Sequence, residues 1–395
     1  MPTQSTDISG NPFAIGFGAV GETWKILKGV DVQGTSIGVY SDYANSTLKN
    51  KGSIFGGTGV LFEAGGAASN YVVKNQKKGE IAGEVGVLIE EFAGSALVKN
   101  KGDIEGLAAG VAIVDFSGSA KVVNNGKIEG GQFAVLVEGS TDAELVNKGE
   151  IKGGLMGVHF DPNSLGASGP MIENHGTIEA FYAGIVIEGG AGIDAKVVNH
   201  KGAVIDGNLY ALVSEDKLDL MNKGKIEGAV ITSDFDDKII NKGKIKGDVT
   251  LGDGNDVFKN KGKKAKSDLI DTGDGHDLVV FGKKADKLLF DSALDASTNI
   301  DTVKKFQSGK DKFYLDEDIF STITPGTLTN AQFHKGTSAA DADDRIIYDK
   351  ASGALYYDAD GTGGTAQVQF AKFDPGTKVK AGDFTIGEYN LMLIS

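Results

Sequence analysis

Ten times between Asn50 and Gly262 the chain of 395 residues repeats one phrase. An Asn is followed within two to four residues by a Gly, then by a mostly β-branched residue two positions on, and usually by another Gly. The phrase reads Asn50-Lys51-Gly52-Ser53-Ile54-Phe55-Gly56, then Asn100-Lys101-Gly102-Asp103-Ile104-Glu105-Gly106, then Asn147-Lys148-Gly149-Glu150-Ile151-Lys152-Gly153, and ends at Asn260-Lys261-Gly262. Its glycines fall at 52, 79, 102, 126, 149, 176, 202, 224, 243 and 262, spaced by 19 to 27 residues. A self-similar period of that length is the mark of a solenoid, because one repeat cannot bury its own apolar face and must stack on the next.

Between the Asn-Gly corners, short Val/Ile/Leu-rich runs such as Ala143-Glu144-Leu145-Val146 and Gly157-Val158-His159-Phe160 alternate apolar and polar residues without helical spacing. They read as strands of three to five residues, about three to a period. The fold class expected is therefore all-β, a right-handed parallel β-helix. Branched side chains stack inward, Lys, Glu and Ser face solvent, and each coil rises roughly 4.8 Å. The recurrent Asn is expected to form an amide ladder, accepting from one coil and donating to the next. The Gly that follows is expected to supply a positive φ at the corner. Both are architectural residues in this reading, not ligands.

Composition narrows the function. With 40 Lys+Arg against 54 Asp+Glu the net charge is −14, which repels nucleic acid over most of the surface. Arg345 is the sole arginine, so bidentate clamping of phosphate or carboxylate is not the design. There is no Cys, no apolar run of membrane-spanning length, and no basic-then-apolar signal peptide in residues 1–10, so any export is expected to use another signal. From Val249 onward there are 21 Asp and 2 Glu, Glu317 and Glu388. Short carboxylates in Gly-rich turns suit a hard cation that takes oxygen ligands.

Two segments carry that reading: Leu251-Gly252-Asp253-Gly254-Asn255-Asp256-Val257-Phe258 and Thr272-Gly273-Asp274-Gly275-His276-Asp277-Leu278-Val279. Each resembles the calcium-binding nonapeptide of RTX proteins, Gly-Gly-x-Gly-x-Asp-x-apolar-x, with Leu251 and Thr272 in place of the first glycine. The resemblance implies Ca2+ between turns on successive levels, held by Asp253, Asp256, Asp274 and Asp277 with carbonyls near Gly252, Gly254, Gly273 and Gly275. Asp256 and Asp277 are 21 apart, close to the local 19-residue coil, so the two turns are expected to stack. The competing reading is a pair of ordinary Asp-Gly corners. His276 falls at a variable position and is expected to face solvent. Asp358-Ala359-Asp360-Gly361-Thr362-Gly363 reads first as a hairpin turn and second as a cation site through Asp358 and Asp360.

The Asn-Gly rhythm then stops. Asn299-Ile300-Asp301-Thr302-Val303, Phe306 to Leu315, Arg345-Ile346-Ile347-Tyr348-Asp349, Leu355-Tyr356-Tyr357-Asp358-Ala359-Asp360-Gly361, Val368-Gln369-Phe370-Ala371 and Asp383-Phe384 are similar to the closing domain of serralysin-type and other type I secreted RTX proteins. The similarity covers about residues 250–386. It implies export by a type I transporter and folding outside the cell on meeting calcium. Serralysins carry His-Glu-x-x-His; here the five His, at 159, 175, 200, 276 and 334, are scattered, so no protease activity is carried over. Four segments are expected: an amino-terminal cap and first coil at 1–48, β-helix repeats at 49–248, calcium-binding coils at 249–290 and a closing domain at 291–395.

The expected role is a secreted calcium-binding structural protein, not an enzyme, that assembles with copies of itself into a surface layer, filament or biofilm matrix, with cell-surface polysaccharide as a further partner. The alternatives are a calcium-dependent adhesin or glycan-binding module, and a polysaccharide-modifying β-helix enzyme. For the enzyme, His159-Phe160-Asp161-Pro162 before the corner insertion at 163–170 is the tempting cluster, against a corner loop with an exposed His. Few aromatics outside the core pattern leave little room for a saccharide-stacking trench. The apolar stretch of Phe13, Phe17, Val20, Trp24, Ile26 and Leu27 is expected to fold back as a cap or to dock on a neighbour, and the apolar end 389–395 to favour assembly.

Overall fold

The computed structural model describes residues 1–63, 69–162, 168–189 and 192–389, without the side chains of 91, 92 and 116. Most of the expected insertion (163–167) and nearly all of the apolar end (390–395) lie outside these. The chain is all-β, a parallel β-solenoid of about 12 turns. Among the described residues the only helical elements are two single 3-10 turns, Asn330–Gln332 and Ala381–Asp383. It divides into two compact units, Met1–Asp216 and Lys217–Ser395.

In the first unit like residues stack on like. Ile54, Ile81, Ile104, Ile128, Ile151, Ile178 and Ile205 are paired in register from turn to turn. All are essentially excluded from solvent. Burial of one such side chain contributes about 1.5–3 kcal/mol, so the column is a principal source of cohesion. The amino-terminal segment is no folded-back cap. Thr23–Ile26 pairs in parallel with Thr47–Asn50, Asp31–Gly34 with Ser53–Phe55, and Phe13–Gly16 with Ile37–Ser41, so residues 1–48 already form solenoid turns. Phe17 and Ile26 are buried in them, while Phe13 and Val20 remain exposed.

The amide ladder is present. Asn50 donates to Asn75, Asn75 to Asn100, Asn100 to Asn124, Asn124 to Asn147, Asn147 to Asn174 and Asn174 to Asn199, each through Nδ2 to Oδ1 at 2.9–3.0 Å. A buried amide without partners would cost free energy; here each also donates to a carbonyl of the next level, as Asn124 does to Glu150 O at 2.8 Å.

The glycine beside each Asn has a different cause from the one expected. Of the ten repeat glycines, positive φ occurs at Gly202 and Gly262. At Gly102, Gly126, Gly149 and Gly176 a Cβ would instead overlap the carbonyl oxygen of the glycine one turn below. These positions form a column of close backbone contact, which only a residue lacking a side chain permits.

In the second unit Asn222 donates to Asn241 and Asn241 to Asn260, whose Nδ2 then reaches Asp286 Oδ1 at 2.7 Å. A carboxylate has no N–H to pass on, so the amide chain stops there, and the Asp286 backbone donates to Asp311 Oδ1 at 3.1 Å. The closing segment covers the last turns. Val368–Phe373 pairs in parallel with Asp301–Lys304 and Phe384–Gly387 with Lys312–Asp316. Ala354–Tyr357 and Ile346–Tyr348 add antiparallel strands outside Val368–Phe373. Beneath them Phe313 lies 5.1 Å from Phe306 and 5.4 Å from both Phe373 and Phe384, centroid to centroid, an aromatic plug in place of the aliphatic columns.

Candidate metal centre

The two Asp-rich turns stand directly over one another on one edge of the second unit. Gly254 N donates to Asp274 O at 2.9 Å, and Asp256 N donates to Asp277 Oδ1 at 2.7 Å. Glycine is required at all four turn positions, since φ is +86° at Gly252, +128° at Gly254, +73° at Gly273 and +148° at Gly275. A Cβ on Gly273 or Gly275 would also overlap the Gly252 or Gly254 carbonyl.

The turns belong to a taller stack than the sequence marked. Asp237 N donates to Asp256 Oδ1 at 2.7 Å, and Asp277 N to Asp301 Oδ1 at 3.3 Å. Asp237, Asp256, Asp277 and Asp301 thus form an inner carboxyl column, each almost fully buried. Burial pushes Asp256 up to about 9, with Asp277 and Asp237 adding to it. Asp277 and Asp301 are raised as a pair, chiefly by burial. The second carboxylate oxygen, Oδ2, of both Asp256 and Asp277 is buried without a hydrogen-bond partner.

An outer, exposed column runs beside it. The Asp253 backbone approaches Asp234 Oδ1 at 3.4 Å, and the carboxyl of Asp253 is raised by burial and by the charges of Asp234 and Asp274. Asp274 Oδ1 accepts from Asn299 Nδ2 at 2.9 Å. His276 is exposed, its ring nitrogens 3.3 Å from Ile300 O and 3.2 Å from Ser297 O.

These features fit a hard cation: spare buried oxygens on Asp256 and Asp277, and like charges aligned on Asp234, Asp253 and Asp274. A divalent ion offsets both costs. Carboxylates alone do not complete a site, because no three acidic ligand atoms here lie within 4.8 Å of one another among the described residues. Turn carbonyls of the Gly252, Gly254, Gly273 and Gly275 stretches would supply the remaining ligands.

Asp358 and Asp360 are not brought to this edge stack. They lie in the turn joining Ala354–Tyr357 to its antiparallel partner Val368–Phe373. Asp358 Oδ1 accepts from Gly361 N at 2.9 Å, and Asp360 Oδ2 from Thr365 N at 3.0 Å, which holds Asp360 below the usual carboxylate range. Both carboxylates thus bond within their own hairpin turn, while Asp360 Oδ1 is buried without a hydrogen-bond partner.

His159 differs from the exposed corner residue expected. It lies within Met156–Asp161, 9% exposed, in the column between Leu136 and Val186, with Nε2 3.2 Å from Glu188 Oε2 and its ring against Phe133. A groove of about 720 Å³ also opens on the first unit, lined by Phe55, Glu84, Glu105, Leu107, Glu129 and Lys152 over a glycine floor. Phe55 is the one aromatic among its lining residues. His159 is not among its lining residues.

No protein-family model and no curated protein matches the chain. The likeness of residues 250–386 to RTX closing domains therefore rests on the residues quoted for it. No helix among the described residues is long and apolar enough to cross a membrane.

Proposed function

We propose that the chain is a secreted, calcium-binding structural protein, exported by a type I system and assembling with copies of itself at the cell surface or in an extracellular matrix. The observation that carries this reading is the stacking of Asp256 under Asp277 with one buried, unpartnered oxygen on each. Bound calcium would neutralise the carboxyl columns and stabilise the folded chain by mass action, coupling folding to the calcium-rich exterior. Self-association is supported by exposed apolar side chains on the first unit, Val20, Leu107 and Phe181, which contact with a second copy would cover.

Electron microscopy of purified protein with calcium and with chelator tests the reading. Ordered polymers that require calcium are expected; soluble monomers under both conditions overturn assembly. The glycine-floored groove favours a second reading, a glycan-binding module, with Phe55 and Leu107 as apolar contacts. That reading predicts saturable binding of the monomer to immobilised glycans.

A further inference from the structure

We propose that His175, His200 and Glu173 form a binding site for a divalent transition-metal ion on the first unit, separate from the acidic turns. The position after each ladder Asn holds Lys51, Gln76, Lys101, Asn125 and Lys148 in the preceding turns, and His in two consecutive turns, 175 and 200. The solenoid fixes both backbones. His175 N donates to Asn147 O at 2.7 Å, and His200 N to Asn174 O at 2.8 Å. The imidazoles therefore stand on adjacent levels, ring centroids 3.7 Å apart and 13° from parallel.

Glu173, two residues before His175 on the strand Ser168–Asn174, points along the same face, with Oε2 3.5 Å from His175 Nε2. One ligand atom from each of the three residues lies within 4.8 Å of the others, a convergence found for no other group among the described residues. Two imidazoles and a carboxylate select zinc, copper or nickel rather than calcium, which takes oxygen ligands. Metal–nitrogen bonds of about 2.0–2.1 Å draw the donors together and splay the stacked rings so that both lone pairs face one ion. His175 is exposed, so its ring has room to turn, while His200 and Glu173 are half-buried and His200 Nε2 is shielded from solvent.

The test is calorimetric titration of Zn2+ into the full chain, in excess calcium so that carboxylate sites are filled. One saturable zinc ion per chain is expected. It is lost in His175→Gln and in His200→Gln, weakened in Glu173→Gln and retained in Asp277→Asn. Gln is the native residue at the equivalent position 76, so the His variants keep the turn, and circular dichroism checks this. With Cu2+ as probe, electron paramagnetic resonance is expected to show two nitrogen ligands in the native chain and one in each single variant. Absence of a saturable zinc phase overturns the site, as does an unchanged phase in the double His variant. Either result leaves the calcium reading untouched.

Discussion

The backbone N–H of Asp256 donates to Asp277 Oδ1 at 2.7 Å, across 21 residues and one turn of the solenoid. The same two side chains each bury an oxygen with nothing to bond. Calcium is therefore expected to raise the melting temperature of the native chain, and Asp256→Asn or Asp277→Asn to shrink that rise. Ligand at a hundredfold over its Kd contributes about 2.7 kcal/mol, so the effect is well within reach of calorimetry. Each variant keeps the Oδ1 acceptor but places an amide NH2 at the buried, unpartnered position, so its calcium shift is read against its own melting temperature in chelator. An undiminished calcium shift in both would show that the ion, if bound, sits elsewhere.

Asn124 stands mid-ladder, accepting from Asn100 and Gly126 N and donating to Asn147 and Glu150 O. Asn124→Ala leaves several buried groups unpaired at about 1–3 kcal/mol each, so a total loss above ~3 kcal/mol is expected in urea unfolding. A loss below ~1 kcal/mol would mean that the ladder is incidental to cohesion.

The repeat was legible because identical residues recur where identical geometry recurs. An Asn at each corner announces an amide ladder, since its side chain both donates and accepts. The glycine beside it was legible as a corner but not in its cause, because a sequence does not distinguish a positive φ from a carbonyl one level below. Asp237 was missed since its turn, Ser233-Asp234-Phe235-Asp236-Asp237, has no glycine to match the nonapeptide. The 19-residue step from Asn241 to Asn260 would have aligned it with Asp256. At His159 the sequence shows only a residue shortly before the corner insertion; the covering Phe133 and Glu188 come from the turns on either side.

Gly126 illustrates the steric cause. A Cβ there meets the Gly102 carbonyl oxygen, whereas at Gly364 it meets nothing within 4 Å. Gly126→Ala is expected to separate two turns and lower stability by about 1–3 kcal/mol, as overpacking does. Gly364→Ala should stay within about 0.5 kcal/mol of the native chain. Equal effects in thermal unfolding would refute the close-contact column.

Where the amide ladder gives way to Asp286, the chain acquires a proton-linked element. Burial pushes Asp286 up to about 6, although Gly282 N and Asn260 Nδ2 both donate to it. An unfolded Asp titrates near ~3.9, so between the two values the folded chain holds the proton more tightly. Its stabilising contribution is complete below about pH 4, falls as pH rises through 6 and is absent above. Asp286→Asn removes this titration. In chelator, the decline of melting temperature from pH 4 to 7 should be shallower in the variant than in the native chain. Parallel profiles would mean that Asp286 ionises normally and that the ladder ends in an ordinary solvated carboxylate.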